Sequence, residues 1–155
     1  MLYFAYGSNM DPYQIKKRCP SSRFDCVAML PNYELAFTLR SKRRRCGVAN
    51  VLPSDGKNVF GVLYRINDFH DWKVLDAAEG FQPLRKRGNR YVRTTRQVQK
   101  LNGYPNDVSA YIYIGLIERF PPPPNQTYLH QMIKGAKRYQ FPLHYQQSLE
   151  KVKII

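Results

Sequence analysis

The sequence opens with an apolar run that passes directly into a turn, Tyr3-Phe4-Ala5-Tyr6-Gly7-Ser8-Asn9-Met10. The run from Tyr3 to Tyr6 predicts a buried strand, and Gly7 ends it because glycine tolerates tight backbone turns. Asp11-Pro12 then supplies a helix N-cap followed by proline at the first helical position, where its missing N–H costs nothing. This stretch therefore predicts a strand, a tight turn and a helix start in immediate succession.

The middle of the chain is rich in the β-branched and aromatic residues that favour strands. The predicted strands are Val27–Thr38, Val48–Leu52, Val59–Ile66, Tyr91–Val98 and Val108–Ile114. Pro53-Ser54-Asp55-Gly56 is typical of a turn, because glycine can take a positive φ. We therefore expect it to join the second and third of these strands in a hairpin.

The C-terminal third is predicted to be helical. Asn125 or Thr127 can cap one helix, and Pro142 starts another. The proline run Pro121–Pro124 is short and predicts a stiff connection within one domain. The chain is therefore expected to form a single domain over residues 1–155, of class α+β: a strongly curved sheet, closed as a barrel, with a few helices outside.

The charge of the chain raises a nucleic-acid hypothesis. There are 25 Lys and Arg against 11 Asp and Glu, a net charge of +14. Two dense clusters, Lys42–Arg45 and Arg85–Arg90, would attract phosphates or other anions. However, no RNP, zinc-finger or helix-turn-helix signature is present. An anion-binding or nucleic-acid-binding role is disfavoured but stays open on this evidence.

Cysteine usage and hydropathy bear on the compartment. Cys19, Cys26 and Cys46 form an odd set without a CxxC pair, which disfavours a disulfide framework and indicates a reducing cytoplasm. No apolar run approaches the roughly 20 residues that cross a bilayer, so no membrane partner is expected. The first residues lack the basic region of a secretory signal.

Chemistry could reside in the turn after the first strand. The backbone N–H groups of Tyr6-Gly7-Ser8-Asn9 lie between a strand and a helix start, where they can hold a carboxylate or a developing oxyanion. The alternative is an ordinary connection that uses Gly and Asn because they tolerate positive φ.

A second candidate is Leu75-Asp76-Ala77-Ala78-Glu79-Gly80, at the end of a short helix capped by Asn67 or Asp68. Glu79 stands beside the C-terminal Gly80, where the helix dipole disfavours negative charge. Partial burial there would raise its pKa and suit it to acid/base work, whereas nearby cations in the stretch 85–87 could lower it. The alternative is a solvated acid at a helix end.

Other residue types give weaker signals. Strand tyrosines usually pack their rings and find a local partner for the hydroxyl, and only a cluster facing one cavity would make them functional. The candidates are Tyr91, Tyr111, Tyr113 and Tyr128. The three histidines lack metal-ligand spacing, so no metal is predicted. Cys46 lies beside Arg45 but has no marked partner base for nucleophilic catalysis.

Taken together, these segments resemble the γ-glutamylcyclotransferase-like (AIG2-like) family. The matching stretches, in the order of the family, are Tyr3–Met10, Val59–Tyr64, Leu75–Gly80, and Tyr128 through Gly135-Ala136 to Leu143–Tyr145. They span nearly the whole chain. The resemblance implies a small mixed barrel and an enzyme of the lyase or acyltransferase type, without a cofactor. Such an enzyme cyclises a γ-glutamyl group to 5-oxoproline and releases the amine that had been acylated.

The resemblance also implies roles for individual residues. The essential acid/base of the family falls on Glu79, and the substrate-binding turn falls on Tyr6, Gly7, Ser8 and Asn9. The cavity tyrosines of the family fall on Tyr91, Tyr128 and Tyr113, although Tyr111 is also available for the last place. The implied partner is a small γ-glutamyl compound, and the resemblance also suggests a homodimer. The Pro121–Pro124 run replaces a shorter approach to Tyr128, and no family role transfers to Lys42–Arg45.

Overall fold

The computed structural model describes residues 1–155 and contains five strands and four α-helices. The strands are β1 (Leu2–Ala5), β2 (Arg23–Ser41), β3 (Cys46–Arg65), β4 (Tyr91–Lys100) and β5 (Asp107–Gly115). The helices are α1 (Pro12–Arg18), α2 (Phe69–Glu79), α3 (Gln126–Arg138) and α4 (Leu143–Glu150). A short 3-10 turn, Ser8–Met10, joins β1 to α1.

The strands close into a barrel in the order β1-β3-β2-β4-β5. Strand β1 pairs antiparallel with β3 and parallel with β5, where Tyr3 stands opposite Tyr111. All other neighbouring pairs are antiparallel. The predicted α+β class with a small mixed barrel and peripheral helices is confirmed.

The prediction of a hairpin turn at Pro53-Ser54-Asp55-Gly56 was wrong. These residues lie inside β3, and the hairpin between β2 and β3 turns at residues 42–45 instead. Between Pro31↔Asn58 and Tyr33↔Pro53 the pairing advances two residues on β2 but five on β3. The positive φ of Gly56, +76°, is used in this bulge, and its N–H donates to Asn32 Oδ1 at 3.1 Å. A residue able to bend the chain therefore bends a strand here rather than ending it.

Helix boundaries follow the predicted local chemistry. Asp11, Asp68 and Asn125 are the N-caps of α1, α2 and α3, and each side chain accepts a hydrogen bond from a backbone N–H of the first turn. Each such cap contributes about 1 kcal/mol. Gly80 ends α2 in the left-handed conformation, with φ of +68°. These caps define where α1, α2 and α3 begin and where α2 ends.

The proline run packs directly on the barrel. Gly47 of β3 donates its N–H to the carbonyl of Pro123 at 2.9 Å. A Cβ on Gly47 would lie 1.9 Å from the carbonyl oxygen of Pro122, so only glycine permits this approach. The run thus brings the chain from the barrel to α3 along a fixed path.

The remaining features concern the core and the surface. Large side chains that fill the core include Phe4, Leu63, Trp72 and Ile112. Cys19, Cys26 and Cys46 are buried free thiols. None of the helices combines the length and the apolar character that a membrane crossing needs.

Candidate active site

A narrow cavity lies where the turn after β1 meets the end of α2. Its volume is about 40 Å³. It is lined by Tyr3, by Ala49 and by the eight residues to which the family resemblance gave site roles: Tyr6, Gly7, Ser8, Asn9, Glu79, Tyr91, Tyr113 and Tyr128. Residues distant in the sequence thus converge on one recess.

The turn after β1 leaves backbone donors free. Met10 N–H donates to the Gly7 carbonyl at 3.1 Å and Asp11 N–H donates to that of Ser8, which closes the 3-10 turn. The N–H groups of Gly7, Ser8 and Asn9 precede these bonds and have no acceptor within the protein. Helical turns leave their first N–H groups unpaired in this way. Gly7 and Ser8 line the cavity, so their N–H groups are the candidate donors to a bound oxygen.

Glu79 is the last residue of α2, and its side chain is 17% exposed. Its Oε1 accepts a hydrogen bond from Asn9 Nδ2 at 3.0 Å and lies 3.5 Å from the guanidinium of Arg18. No protein group donates to Oε2. One carboxylate oxygen is therefore held in place while the other is free to exchange a proton.

Burial raises the pKa of Glu79 above its ordinary value, while the charge of Arg18, the hydrogen bond from Asn9 and the charge of Arg44 act in the opposite direction. Desolvation prevails, since a carboxylate loses more by leaving water than these neighbours return. The sequence predicted the upward direction. The cations that oppose it are Arg18 and Arg44, and none of residues 85–87 contributes.

Asn9 organises the polar side of the cavity. Its Nδ2 donates to Tyr3 Oη at 2.9 Å as well as to Glu79, and its Oδ1 accepts from Arg18 at 2.7 Å and Gln14 at 2.9 Å. Both donor positions of the amide nitrogen and both lone pairs of the amide oxygen are thereby used. The sequence singled out Asn9 for its backbone N–H, whereas its side chain positions Glu79.

The tyrosines form the walls, and most of their hydroxyls are anchored on the protein. Tyr91 Oη donates to the Ala49 carbonyl at 2.5 Å, and Tyr128 Oη accepts from the Ala49 N–H at 3.1 Å. Tyr113 Oη donates to Asp76 Oδ1 at 2.6 Å. Burial raises the pKa of Tyr128 to about 12, so its hydroxyl keeps its proton and can donate it to a ligand.

Three residues of the site were missed by the sequence interpretation: Tyr3 and Ala49, which line the cavity, and Arg18, which contacts Glu79. Tyr3 lies on β1, which is buried along both faces, so alternation cannot show which side chains face the cavity. Arg18 and Glu79 are in contact although they are 61 residues apart in the chain, and no spacing in the sequence reveals such a contact. The structure also places Tyr113 in the cavity, while Tyr111 packs against Trp72 outside it.

No group of three or more His, Cys, Asp or Glu side chains is arranged to hold a metal ion.

The basic segment Lys42–Arg45 forms the β2–β3 turn. Arg44 lies 4.7 Å from the centroid of the Tyr128 ring, at the mouth of the cavity.

Comparison with known proteins defines the class of this fold and cavity. Residues 3–136 match the family model described as "Gamma-glutamyl cyclotransferase, AIG2-like". The chain therefore belongs to the AIG2-like γ-glutamylcyclotransferase family, as the sequence motifs indicated.

Individual relatives agree with this assignment. The chain is 32% identical to the human γ-glutamylcyclotransferase and 33% identical to the mouse protein, in both cases over 97% of this chain and 78% of the relative. A solved structure titled "Gamma-glutamyl cyclotransferase" superposes with a TM-score of 0.88 at 30% identity, covering 100% of this chain and 89% of that one.

Proposed function

We propose that this protein is a γ-glutamylcyclotransferase that converts the γ-glutamyl group of a small molecule to 5-oxoproline and releases an amine. The observation that carries the proposal is the placement of Glu79. Its carboxyl group, with a raised pKa, shares a narrow cavity with the free N–H groups of Gly7 and Ser8. A proton acceptor and an oxyanion site within one cavity are what intramolecular aminolysis needs.

In the first step the α-amino nitrogen of the substrate attacks its own γ-amide carbonyl carbon and forms a C–N bond. Glu79 takes the proton that the nitrogen loses. Its Oε2, which accepts no hydrogen bond from the protein, is the oxygen free to do so. The carbonyl oxygen becomes negative, and the N–H groups of Gly7 and Ser8 stabilise it.

In the second step the original amide C–N bond breaks and Glu79 returns the proton to the departing nitrogen. The products are 5-oxoproline and the free amine. The nucleophile is tethered to its target, and well-oriented intramolecular reactions reach effective molarities of about 10⁵–10⁸ M. The walls formed by Tyr6, Tyr91, Tyr113 and Tyr128 then contribute by holding the substrate in its folded conformer.

Replacing Glu79 by Gln tests this proposal, because it keeps the shape and removes proton transfer. The rate of 5-oxoproline formation from a γ-glutamyl amino acid should fall about 10²–10⁴-fold. Glu150→Gln is the matched control, since Glu150 is likewise the last residue of a helix, α4, but is exposed. Parent-like turnover by the Glu79→Gln variant would show that another group transfers the proton.

The family membership and the narrow cavity beside Glu79 favour this enzyme over a protein that only binds anions or nucleic acid. We propose that residues 1–155 act as a single domain, because the cavity takes residues from Tyr3 to Tyr128 and so needs most of the chain. Three buried free thiols fit a reducing compartment such as the cytoplasm. A panel of γ-glutamyl amino acids, alkylamines and larger metabolites, assayed for 5-oxoproline, identifies the substrate.

A further inference from the structure

The cavity of Glu79 adjoins a wider recess with a basic wall, which we call the basic vestibule. Four residues belong to both: Ser8, Glu79, Tyr91 and Tyr128. The vestibule has a volume of about 330 Å³, against about 40 Å³ for the inner cavity. Its cations are Arg18, Lys42, Arg43, Arg44 and Arg90.

Lys and Arg make up a larger share of the vestibule wall than of the whole chain. Lys and Arg are 25 of the 155 residues of the chain, but 5 of the 14 residues that line the vestibule. Glu79 is the only acidic residue in that wall. A concave wall of one sign focuses the electrostatic potential within it.

Most of this charge has no carboxylate partner. Among the cations of the vestibule, Arg18 alone forms an ion pair, with Glu79. Arg44 donates to the neutral side chains of Gln131 and Gln14, and Arg90 donates to a backbone carbonyl. Four of the five cations are therefore uncompensated.

Lys42 and Arg43 are the most available of these cations. Both are exposed on the β2–β3 turn, and neither donates a hydrogen bond to the protein. Their ammonium and guanidinium groups remain free to meet an anion that enters the vestibule.

The inner cavity has the opposite character. No lysine or arginine lines it, and its charged residue is Glu79. Ring closure takes place within the γ-glutamyl group, so that group requires the narrow space beside Glu79, with the free N–H groups of the turn as donors. The rest of the substrate must then lie on the wider side. The vestibule is thus the region that receives the amine to be released.

We propose that the vestibule is an anion subsite for the released half of the substrate. The enzyme then prefers γ-glutamyl compounds whose released amine carries two or more negative charges, such as an acidic amino acid or an acidic peptide. This inference rests on the proposed function. A neutral amino acid brings one carboxylate, which would leave most of the four uncompensated cations unmatched, whereas hydrogen bonds between charged partners are the strong ones.

The test compares γ-glutamylglutamate with γ-glutamylglutamine, which have the same shape and differ by one negative charge. At low ionic strength, kcat/KM should be at least about tenfold higher for γ-glutamylglutamate, the gain expected of a charge-assisted contact. The preference should shrink as salt is added, because exposed charges are screened.

A pair of double variants locates the effect. Lys42→Gln with Arg43→Gln should bring the ratio of the two kcat/KM values close to one. Arg85→Gln with Lys86→Gln removes the same charge from exposed residues outside the vestibule and should leave the ratio as in the parent. Equal turnover of both substrates by the parent, or an equal loss of preference in both double variants, overturns the inference while the proposed function stands. Failure to form 5-oxoproline from any γ-glutamyl compound overturns the proposed function and the inference with it.

Discussion

Asn9 donates from Nδ2 to Oε1 of Glu79 at 3.0 Å, a contact that joins the first turn of the chain to the end of a helix 70 positions later. The oxygen of the same Asn9 amide, Oδ1, accepts a hydrogen bond from Arg18, so the three side chains form one connected network. Glu79 is consequently fixed at one oxygen and is subject to a cation whose charge opposes the effect of burial on its pKa.

Removing Arg18 should raise the pKa of Glu79 further. The charge of Arg18 lowers this pKa, and the proposed reaction begins with the ionised carboxylate. In an Arg18→Gln variant the acid limb of the kcat/KM profile should therefore move to higher pH. The measurement is the pH dependence of 5-oxoproline formation from pH 4 to 9.

Arg44→Gln is the comparison for that experiment. Arg44 lowers the same pKa less strongly than Arg18 does, so the limb should move in the same direction by a smaller amount. An acid limb that stays in place in the Arg18→Gln variant would contradict the assignment of this limb to Glu79.

The pH dependence of the free energy of unfolding should also reflect the raised pKa of Glu79. Because its pKa is raised from the ordinary 4.5 in the folded state, Glu79 adds stability below that value and loses the contribution as pH rises through the folded-state pKa. The free energy of unfolding of the parent should thus decline relative to that of Glu79→Gln over this interval. Urea titrations between pH 4 and 8 measure the difference. The titration of Asp76, whose pKa is also raised, is common to both proteins and cancels. A difference that stays flat with pH would be inconsistent with a raised pKa.

Gly7→Ala should impair activity more than stability. The φ of Gly7, −116°, lies outside the left-handed region, and an added Cβ would lie 3.3 Å from Tyr128 Oη and 3.4 Å from Ala49 Cβ. The methyl group would enter the cavity at the proposed oxyanion site. We expect kcat/KM to fall roughly tenfold to hundredfold, because small displacements of reacting groups have effects of that size. Steady-state kinetics and thermal unfolding of the same sample separate the two effects, and a large loss of stability with parent-like kinetics would count against this role.

Gly47→Ala should act in the opposite way, on the fold. Its Cβ would meet the Pro122 carbonyl oxygen at 1.9 Å, and backbone cannot yield as a flexible side chain does. Separation of the two segments would break the hydrogen bond from Gly47 N–H to Pro123. Overpacking and the lost bond together should lower the free energy of unfolding by about 2–4 kcal/mol, measured by urea denaturation with Gly7→Ala as the reference. A stability equal to that of Gly7→Ala would show that the proline run moves aside without cost.

Local chemistry accounts for the parts of the structure that the sequence predicted well. Asp11 with Pro12, Asn125 and Gly80 each mark a helix end through a side chain or a φ angle that acts within a few residues. The position of Glu79 at the end of α2 followed from Gly80 in the same way. The family resemblance then associated Glu79 with Gly7, a relationship that no local signal contains.

What the sequence did not reveal depends on contacts between distant segments. Gly56 has the positive φ expected of a turn, but whether such a residue ends a strand or forms a bulge depends on the pairing of β3 with the long β2. The contact of Arg18 with Glu79 likewise depends on how α1 packs beside α2. Composition revealed the charge of Lys42–Arg45 but not that this turn borders the cavity of Glu79.

The pairing of Tyr3 with Tyr111 has a consequence for the order of events during synthesis on the ribosome. Strand β1 is the first of the five strands to be made, yet its parallel partner β5 leaves the ribosome about a hundred residues later. By then α1, α2 and the β2–β3 hairpin have already left it. At elongation rates of about 5–20 residues per second, the synthesis of β5 follows that of β1 by about 5–20 seconds. Until then the nascent chain has an open sheet edge at β1, and the turn that follows it has no closed barrel behind it. The cavity of Glu79 can therefore form only after β5 and Tyr128, which also lines it, have been translated.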